Sequence, residues 1–343
     1  MNYSSIFKIF MFIVINTAIT SLRVKKTRRI TTFVNSSKQN HNCVISSRNN
    51  NVYCNSQAKL FIDENVFLKN KKLITISPGG YKGFYLLGIL TYIKEKYETD
   101  NLIYSGASAG SWNSLFMCYK GNTLEFVYDL LDYNIKKTKS IPELEYFLKY
   151  KLLSNYKTED FDLRRLFIGV TTIKRFAPLT NIFSDFETLE DAINCCIASS
   201  HIPLITGGLT NKYHNMFTFD GGFSNYPYLE KERLLHISPS MWEDINKHGN
   251  NPISNIKRGI LSLKKYSEFF SVSKNNLLEL FDDGYQDAKN NKPYLDTIFS
   301  PKNGANPMNS PQTKPNETKP NIIDINNLST IDELDNDLDG IVF

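Results

Sequence analysis

Three short runs in this chain carry residues whose chemistry depends on where they are placed. The first is Gly106-Ala107-Ser108-Ala109-Gly110, a Gly-x-Ser-x-Gly run. The apolar residues Leu102, Ile103 and Tyr104 precede it, and Trp112, Leu115, Phe116 and Tyr119 follow at helical spacing. A serine on a tight strand-to-helix turn exposes its hydroxyl, and small neighbours let a substrate carbonyl approach. The helix that follows points its amide dipoles at the oxyanion that forms. The same five residues also suit an ordinary Gly/Ser-rich loop, so the rest of the chain has to decide. The second run is Pro78-Gly79-Gly80-Tyr81-Lys82-Gly83. It offers backbone N–H donors, lacks the Lys-Ser/Thr of a P-loop, and matches a dinucleotide fingerprint poorly. The third is Asp220-Gly221-Gly222, directly after Phe217-Thr218-Phe219. Alone it reads as a β-turn. At a strand end it places a carboxylate that can orient and deprotonate a serine, with glycines leaving room. A nucleophile, oxyanion donors and a base are what acyl transfer requires.

The elements that must hold these runs alternate. Leu73-Ile74-Thr75-Ile76 reads as a buried strand, and Leu86, Ile89, Leu90, Ile93 and Tyr97 mark an amphipathic helix. A strand at Leu102, the serine turn and a second helix follow. Such alternation predicts a parallel sheet covered by helices. Gly80 and Ser108 are 28 residues apart, room for one helix and one strand. The two loops should therefore lie side by side outside the carboxyl ends of their strands. Further on, residues 123–160 read as mostly helical and Leu166–Thr172 as a buried strand. Thr188 with Asp191 makes a capping-box-like helix start, and that helix stops before Pro203.

At these residues the chain resembles the patatin-like phospholipases. The family's Gly-Gly-Gly-x-Arg/Lys-Gly motif corresponds to Pro78 through Gly83, and its nucleophile elbow to Gly106 through Gly110. Its Ala-Ser-x-x-x-Pro segment corresponds to Ala198-Ser199-Ser200-His201-Ile202-Pro203. Its Asp-Gly-Gly/Ala motif corresponds to Asp220-Gly221-Gly222, with Asn225 and Pro227 following. The resemblance covers about residues 71–230. It implies a three-layer α/β/α fold with a mainly parallel central sheet, and hydrolysis of lipid acyl esters by a Ser108–Asp220 dyad without histidine. It implies no cofactor and no metal. Proline has no N–H, so with Pro78 in place of the family's first glycine the oxyanion contacts fall to Gly79, Gly80 and Tyr81. Lys82, Gly83, Gly106, Gly110, Gly221 and Gly222 complete the motifs. Two alternatives stand beside this reading. One is a Ser-Asp-His triad with His236 or His248 as base; the other is a catalytically weak lipid-binding or scaffold protein of the same fold. His201 reads as structural and His214 as solvated. Phe84, Tyr85 and Tyr226 are candidates to line the access path.

Composition bounds the remainder. The chain has 343 residues and a net charge of +5, but the charge sits in the tails. No Asp or Glu precedes Asp63, and the last twenty residues hold six acidic residues and no Lys or Arg. The near-neutral body argues against a nucleic-acid partner; the resemblance implies an acyl-lipid substrate and a membrane surface. Residues 1–22 read as a signal peptide or weak signal anchor, with the apolar run Ile9–Ile15. The basic cluster Arg23–Arg29 also suits a lipid surface or an organelle-type transit peptide. Residues 23–70 read as a basic, low-complexity linker, 71–298 as the catalytic domain, and 299–343 as an Asn/Pro-rich and then acidic disordered tail. Cys43 and Cys54 can pair if the protein passes an oxidising compartment.

Overall fold

The computed structural model describes residues 43–48, 52–54, 62–63, 65–132, 135, 137–138, 140–174, 177–224, 226–248 and 276–302. The expected targeting segment 1–22, the basic cluster that follows it, Asn225 and the tail from 303 onward lie outside them. Nine strands form one mixed sheet among the described residues. They are β1 (Cys43–Ser46), β2 (Val52–Cys54), β3 (Lys72–Ile76), β4 (Leu102–Gly106) and β5 (Leu166–Lys174). Then come β6 (Ala177–Ser184), β7 (Asn211–Tyr213), β8 (Met216–Phe219) and β9 (Arg233–Ile237). The order across the sheet is β2-β1-β6-β5-β4-β3-β9. The run β9-β3-β4-β5 is parallel throughout, and it is the part that carries the serine loop. β6 turns back antiparallel to β5. β8 continues along β5 beyond the end of β4, pairing Thr171 with Phe219. The chain leaving β4 toward Ser108 and the chain leaving β8 toward Asp220 thus emerge beside the same strand.

Strand periodicity sorts the core into two faces. Leu73, Ile103, Phe167 and Ile182 pack on one face with Leu68 and Leu229. Ile74, Ile76, Tyr104, Leu166, Ile168 and Phe183 pack on the other with the main helices. Each fully buried aliphatic side chain contributes about 1.5–3 kcal/mol, so the alternation also fixes register. The longer helices are α1 (Gly83–Lys96), α2 (Ala109–Cys118), α3 (Thr123–Leu130), α4 (Ile141–Asn155), α5 (Leu189–Ser199), α6 (Met241–His248) and α7 (Leu277–Asn290). Local chemistry starts several of them. Asn122 accepts from the Leu124 and Glu125 amides at the start of α3, Ser140 from Glu143 N at α4, and Thr188 from Asp191 N at α5. The carboxyl end of α2 is closed from outside: Lys94 Nζ, buried, donates to the carbonyls of Phe116, Met117 and Tyr119 at 3.2, 2.8 and 2.5 Å.

Order begins earlier than residue 71. β1 pairs parallel with β6, from Cys43–Asn181 to Ser46–Ser184, so the expected linker 23–70 contains a sheet strand. The sequence around it is polar, but Val44 and Ile45 are buried, and two inward side chains are enough when a neighbouring edge is open. Cys43 stands opposite Cys54 in register and is disulfide-bonded. At the other end the Lys302 amide donates to Lys96 O at 3.0 Å.

Candidate active site

Ser108 caps the amino end of α2 in a strained backbone conformation, φ 53° and ψ −129°. A side-chain-bearing residue there costs about 1–3 kcal/mol and persists only when its surroundings hold it. Three contacts do so. The Ser108 amide donates to Ser199 Oγ at 2.8 Å, and its carbonyl accepts from the Ser111 amide at 2.8 Å and from Ser111 Oγ at 2.6 Å. Ser199 Oγ in turn donates to Gly169 O on β5 at 2.7 Å. The elbow is thereby tied to the sheet through α5. Gly110 is required by close approach, since a Cβ on it would lie 2.2 Å from Ile76 O.

The loop after β3 sits against this elbow. Gly79-Gly80-Tyr81-Lys82 forms a tight 3-10 turn, with Gly80 at φ 51°, which only glycine adopts without strain. The Lys82 amide donates to Gly79 O at 3.0 Å and the Gly83 amide to Gly80 O, so the turn's later donors are used internally. Asn113 Nδ2, on α2, donates to both Gly83 O and Ala109 O at 3.0 Å and clamps the two helix starts together. Gly83 and Ala109 are in direct contact. Tyr81 is buried, and burial together with the nearby Glu143 pushes its phenol up to about 12, so it stays neutral. The Lys82 side chain is exposed.

Asp220 is fully buried at the end of β8. Its amide donates to His201 O at 2.7 Å, and its Oδ1 accepts from the Gly222 amide at 2.6 Å. Gly221 presses so closely on Ala107 and Gly169 that a Cβ would stand 2.6 Å from Ala107 Cβ and 2.2 Å from Gly169 O. That contact puts the Asp220 loop against the residue preceding Ser108. Ser108, Gly80 and Tyr81 all line one cavity. Its remaining wall is mostly apolar, with Phe84, Leu87, Phe116, Phe126, Leu148 and Leu152. Of the three expected access residues, Phe84 lines it. Tyr85 instead donates to Asp287 Oδ2 at 2.6 Å on α7, and Tyr226 packs edge-on to Tyr228.

The histidines fall elsewhere. His236 lies on β9 between Leu235 and Ile237, which face the helix side with the cavity, so its ring points to the other face. There its Nδ1 is 2.8 Å from Thr75 Oγ1, and burial with Arg233 nearby pushes it down to about 3. His248 ends α6. His201 is buried beside Phe219, and burial lowers its pKa. His214 is not in open solvent. It sits in a cluster with Ser47, Asp191 and Tyr213, where its Nε2 is 3.3 Å from Ser47 Oγ and 3.4 Å from Asp191 Oδ1. One nitrogen facing both groups cannot relay a proton between them, so this second Ser-His-Asp grouping reads as structural. It also redirects Asp191, whose side chain serves Ser47 and Tyr213 instead of closing a capping box. Among the described residues no group of three or more His, Cys, Asp or Glu is placed to hold a metal ion.

Residues 74–230 match the family model of the patatin-like phospholipases. That span contains the elbow, the Gly79–Tyr81 turn and the buried aspartate. The chain carries a patatin-like phospholipase domain. A human relative, patatin-like phospholipase domain-containing protein 4, is 23% identical over 239 residues, covering 63% of this chain and 94% of the relative. Two solved structures are similar in part. ExoU, in the ExoU–SpcU complex of the Pseudomonas aeruginosa type III secretion system, aligns at 13% identity over 80% of this chain and 61% of that one, with a TM-score of 0.32. VipD from Legionella pneumophila aligns at 11% identity over 79% of this chain and 72% of that one, also with a TM-score of 0.32. The family assignment stands on the matched span and the motifs within it, and its general chemistry is lipid hydrolysis. No helix among the described residues is long and apolar enough to cross a membrane. Ser111, Asn113 and Ser199 are support residues that the motif reading did not assign. Ser199 had a signal, since it lies in the Ala-Ser-x-x-x-Pro segment; Ser111 and Asn113 had only their places on α2.

Proposed function

We propose that the chain is a serine acyl hydrolase of phospholipase A type, acting on fatty-acyl esters of membrane lipids without a metal. The observation that carries this is the shared cavity. A strained, buried Ser108 and the head of the Gly79–Tyr81 turn open into one mostly apolar channel. Asp220 is held from behind through the Gly221–Ala107 contact. The acyl chain lies along the apolar wall, and its ester carbonyl sits between Ser108 Oγ and the turn. Ser108 Oγ attacks the carbonyl carbon as Asp220 takes the hydroxyl proton. The carbonyl oxygen becomes an oxyanion, stabilised by the amides of Gly79, Gly80 and Tyr81 and by the amino end of α2. The ester C–O bond then breaks, and the leaving alkoxide takes the proton from Asp220. A water molecule, deprotonated by Asp220, attacks the acyl-enzyme, and the fatty acid leaves as Ser108 recovers its proton. Burial of Asp220 keeps bulk water from competing for the proton it takes. Association with a membrane through residues 1–29 belongs to the same proposal, and N-terminal sequencing of the mature protein tests whether that segment is kept.

The test is active-site labelling with a fluorophosphonate, beside mass-spectrometric analysis of fatty acids released from mixed lipid vesicles. Wild type is expected to label and release fatty acid, Ser108→Ala to do neither, and Asp220→Asn to lose release. His236→Ala and His248→Ala are expected to keep most activity. A wild-type protein that neither labels nor releases fatty acid sinks the proposal in favour of lipid binding alone.

A further inference from the structure

The ester end of the cavity carries one carboxyl that the hydrolytic cycle does not use. Glu145 lies on α4, whose Leu144, Leu148 and Leu152 line the same cavity. It is only 7% exposed, and its Oε1 is buried without a hydrogen-bond partner. Burial, reinforced by the negative charge of Asp220, raises its pKa well above the usual carboxylate value, against a smaller opposing pull from Ser200. The favoured form is the neutral acid, which can donate as well as accept. Glu145 lines the cavity together with Ser108 and Ser200, and Ser200 adjoins Ser199, whose hydroxyl accepts from the Ser108 amide at 2.8 Å, so the carboxyl belongs to the ester end. That oxygen is already closed to water, and a plain alkyl chain filling the channel leaves it unpaired. A chain carrying an oxygen there would satisfy it, a difference of at least about fivefold in affinity.

We propose that Glu145 is a specificity-determining residue: its carboxyl hydrogen-bonds an oxygen borne on the acyl chain near the ester end, so that the channel prefers hydroxylated or oxo acyl groups to plain hydrocarbon ones. This rests on the cavity being the acyl site. The test uses the full chain with Ser108→Ala, titrated with 3-hydroxy and unsubstituted fatty acids of equal length and followed by the fluorescence of Trp112, which lines the cavity. The hydroxy acid is expected to bind at least about fivefold more tightly. Adding Glu145→Gln, which keeps a donor, should retain the preference, and adding Glu145→Leu should remove or reverse it. Equal affinity for the two acids while Glu145 is intact overturns the proposal, and so does an equal change for both on Glu145→Leu. If neither acid binds, the acyl-site reading falls with it. If the preference is present but the wild type releases no fatty acid from vesicles, this proposal stands and the hydrolase reading alone falls.

Discussion

Ser199→Ala isolates the tie that holds the nucleophile in place. In the wild type one hydroxyl accepts from the Ser108 amide at 2.8 Å and donates to Gly169 O at 2.7 Å, and Ser199 is fully buried. Alanine deletes both bonds and fits the space, so the change is electronic more than steric. The stranded Ser108 amide loses about 1–3 kcal/mol, and the Gly169 carbonyl, which keeps a second lone pair, adds less. A total of about 2–4 kcal/mol is expected in urea denaturation. Ser114→Ala is the control. Its hydroxyl bonds Gly110 O four residues back within α2, at 2.8 Å, and its loss should cost no more than about 1.5 kcal/mol. The kinetic effect should be larger than the stability effect suggests. Ser108 sits at φ 53°, and without the Ser199 bond its backbone can relax and shift the hydroxyl. A displacement near 1 Å is enough to lower kcat by about a hundredfold, with little change in KM. If Ser199→Ala is within about 0.5 kcal/mol of wild type and turns over ester at the wild-type rate, the elbow is held by something else and the argument fails.

Two further outcomes follow from the same geometry. Gly221→Ala should abolish acyl-ester hydrolysis and lower the melting temperature, because its Cβ would stand 2.2 Å from Gly169 O, while Gly208→Ala, with nothing within 4 Å, should leave both unchanged. His236, pushed down to about 3 by burial, binds its proton more readily in the unfolded chain, so stability should fall as pH drops from about 6.5 toward 3. The slope is at most about 1.4 kcal/mol per pH unit, and His236→Gln should flatten it in pH-resolved denaturation without moving the pH–rate profile.

What the sequence made legible was the part in which local chemistry and packing agree. The strand at Leu73, the turn at Gly79 and the elbow at Ser108 combine buried aliphatic runs with glycines that close approach requires, and the structure places them side by side as their 28-residue separation suggested. The edge of the sheet was not legible. β1 has four residues in an Asn/Ser-rich stretch, and β6 interrupts its apolar pattern with Pro178, Thr180 and Asn181. Such strands are specified by the partners they complete, not by their own period. β9 was missed for a related reason. Glu230, Lys231, Glu232 and Arg233 mask its start, although Leu235 and Ile237 are buried. That omission left His236 without a strand, and strand alternation is what turns its ring away from the cavity.

Glu145 shows the same limit within the site itself. On helical spacing it follows Leu144 and precedes Leu148, and an acidic residue beside an apolar stripe reads as the solvated edge of a helix. In the fold the stripe is wider than the leucines alone, because α4 packs over a cavity and not against a closed core. The outer side of the helix carries Tyr146 and Tyr150, at 74% and 66% exposed, so the usual contrast between a polar and an apolar face is inverted. The carboxyl is on the inside and the aromatic rings are on the outside. Hydrophobic patterning alone would have oriented this helix the other way around at those positions. The cavity, and with it the place of Glu145, is a property of how α3 and α4 stand off from α1 and α2, which no single segment encodes.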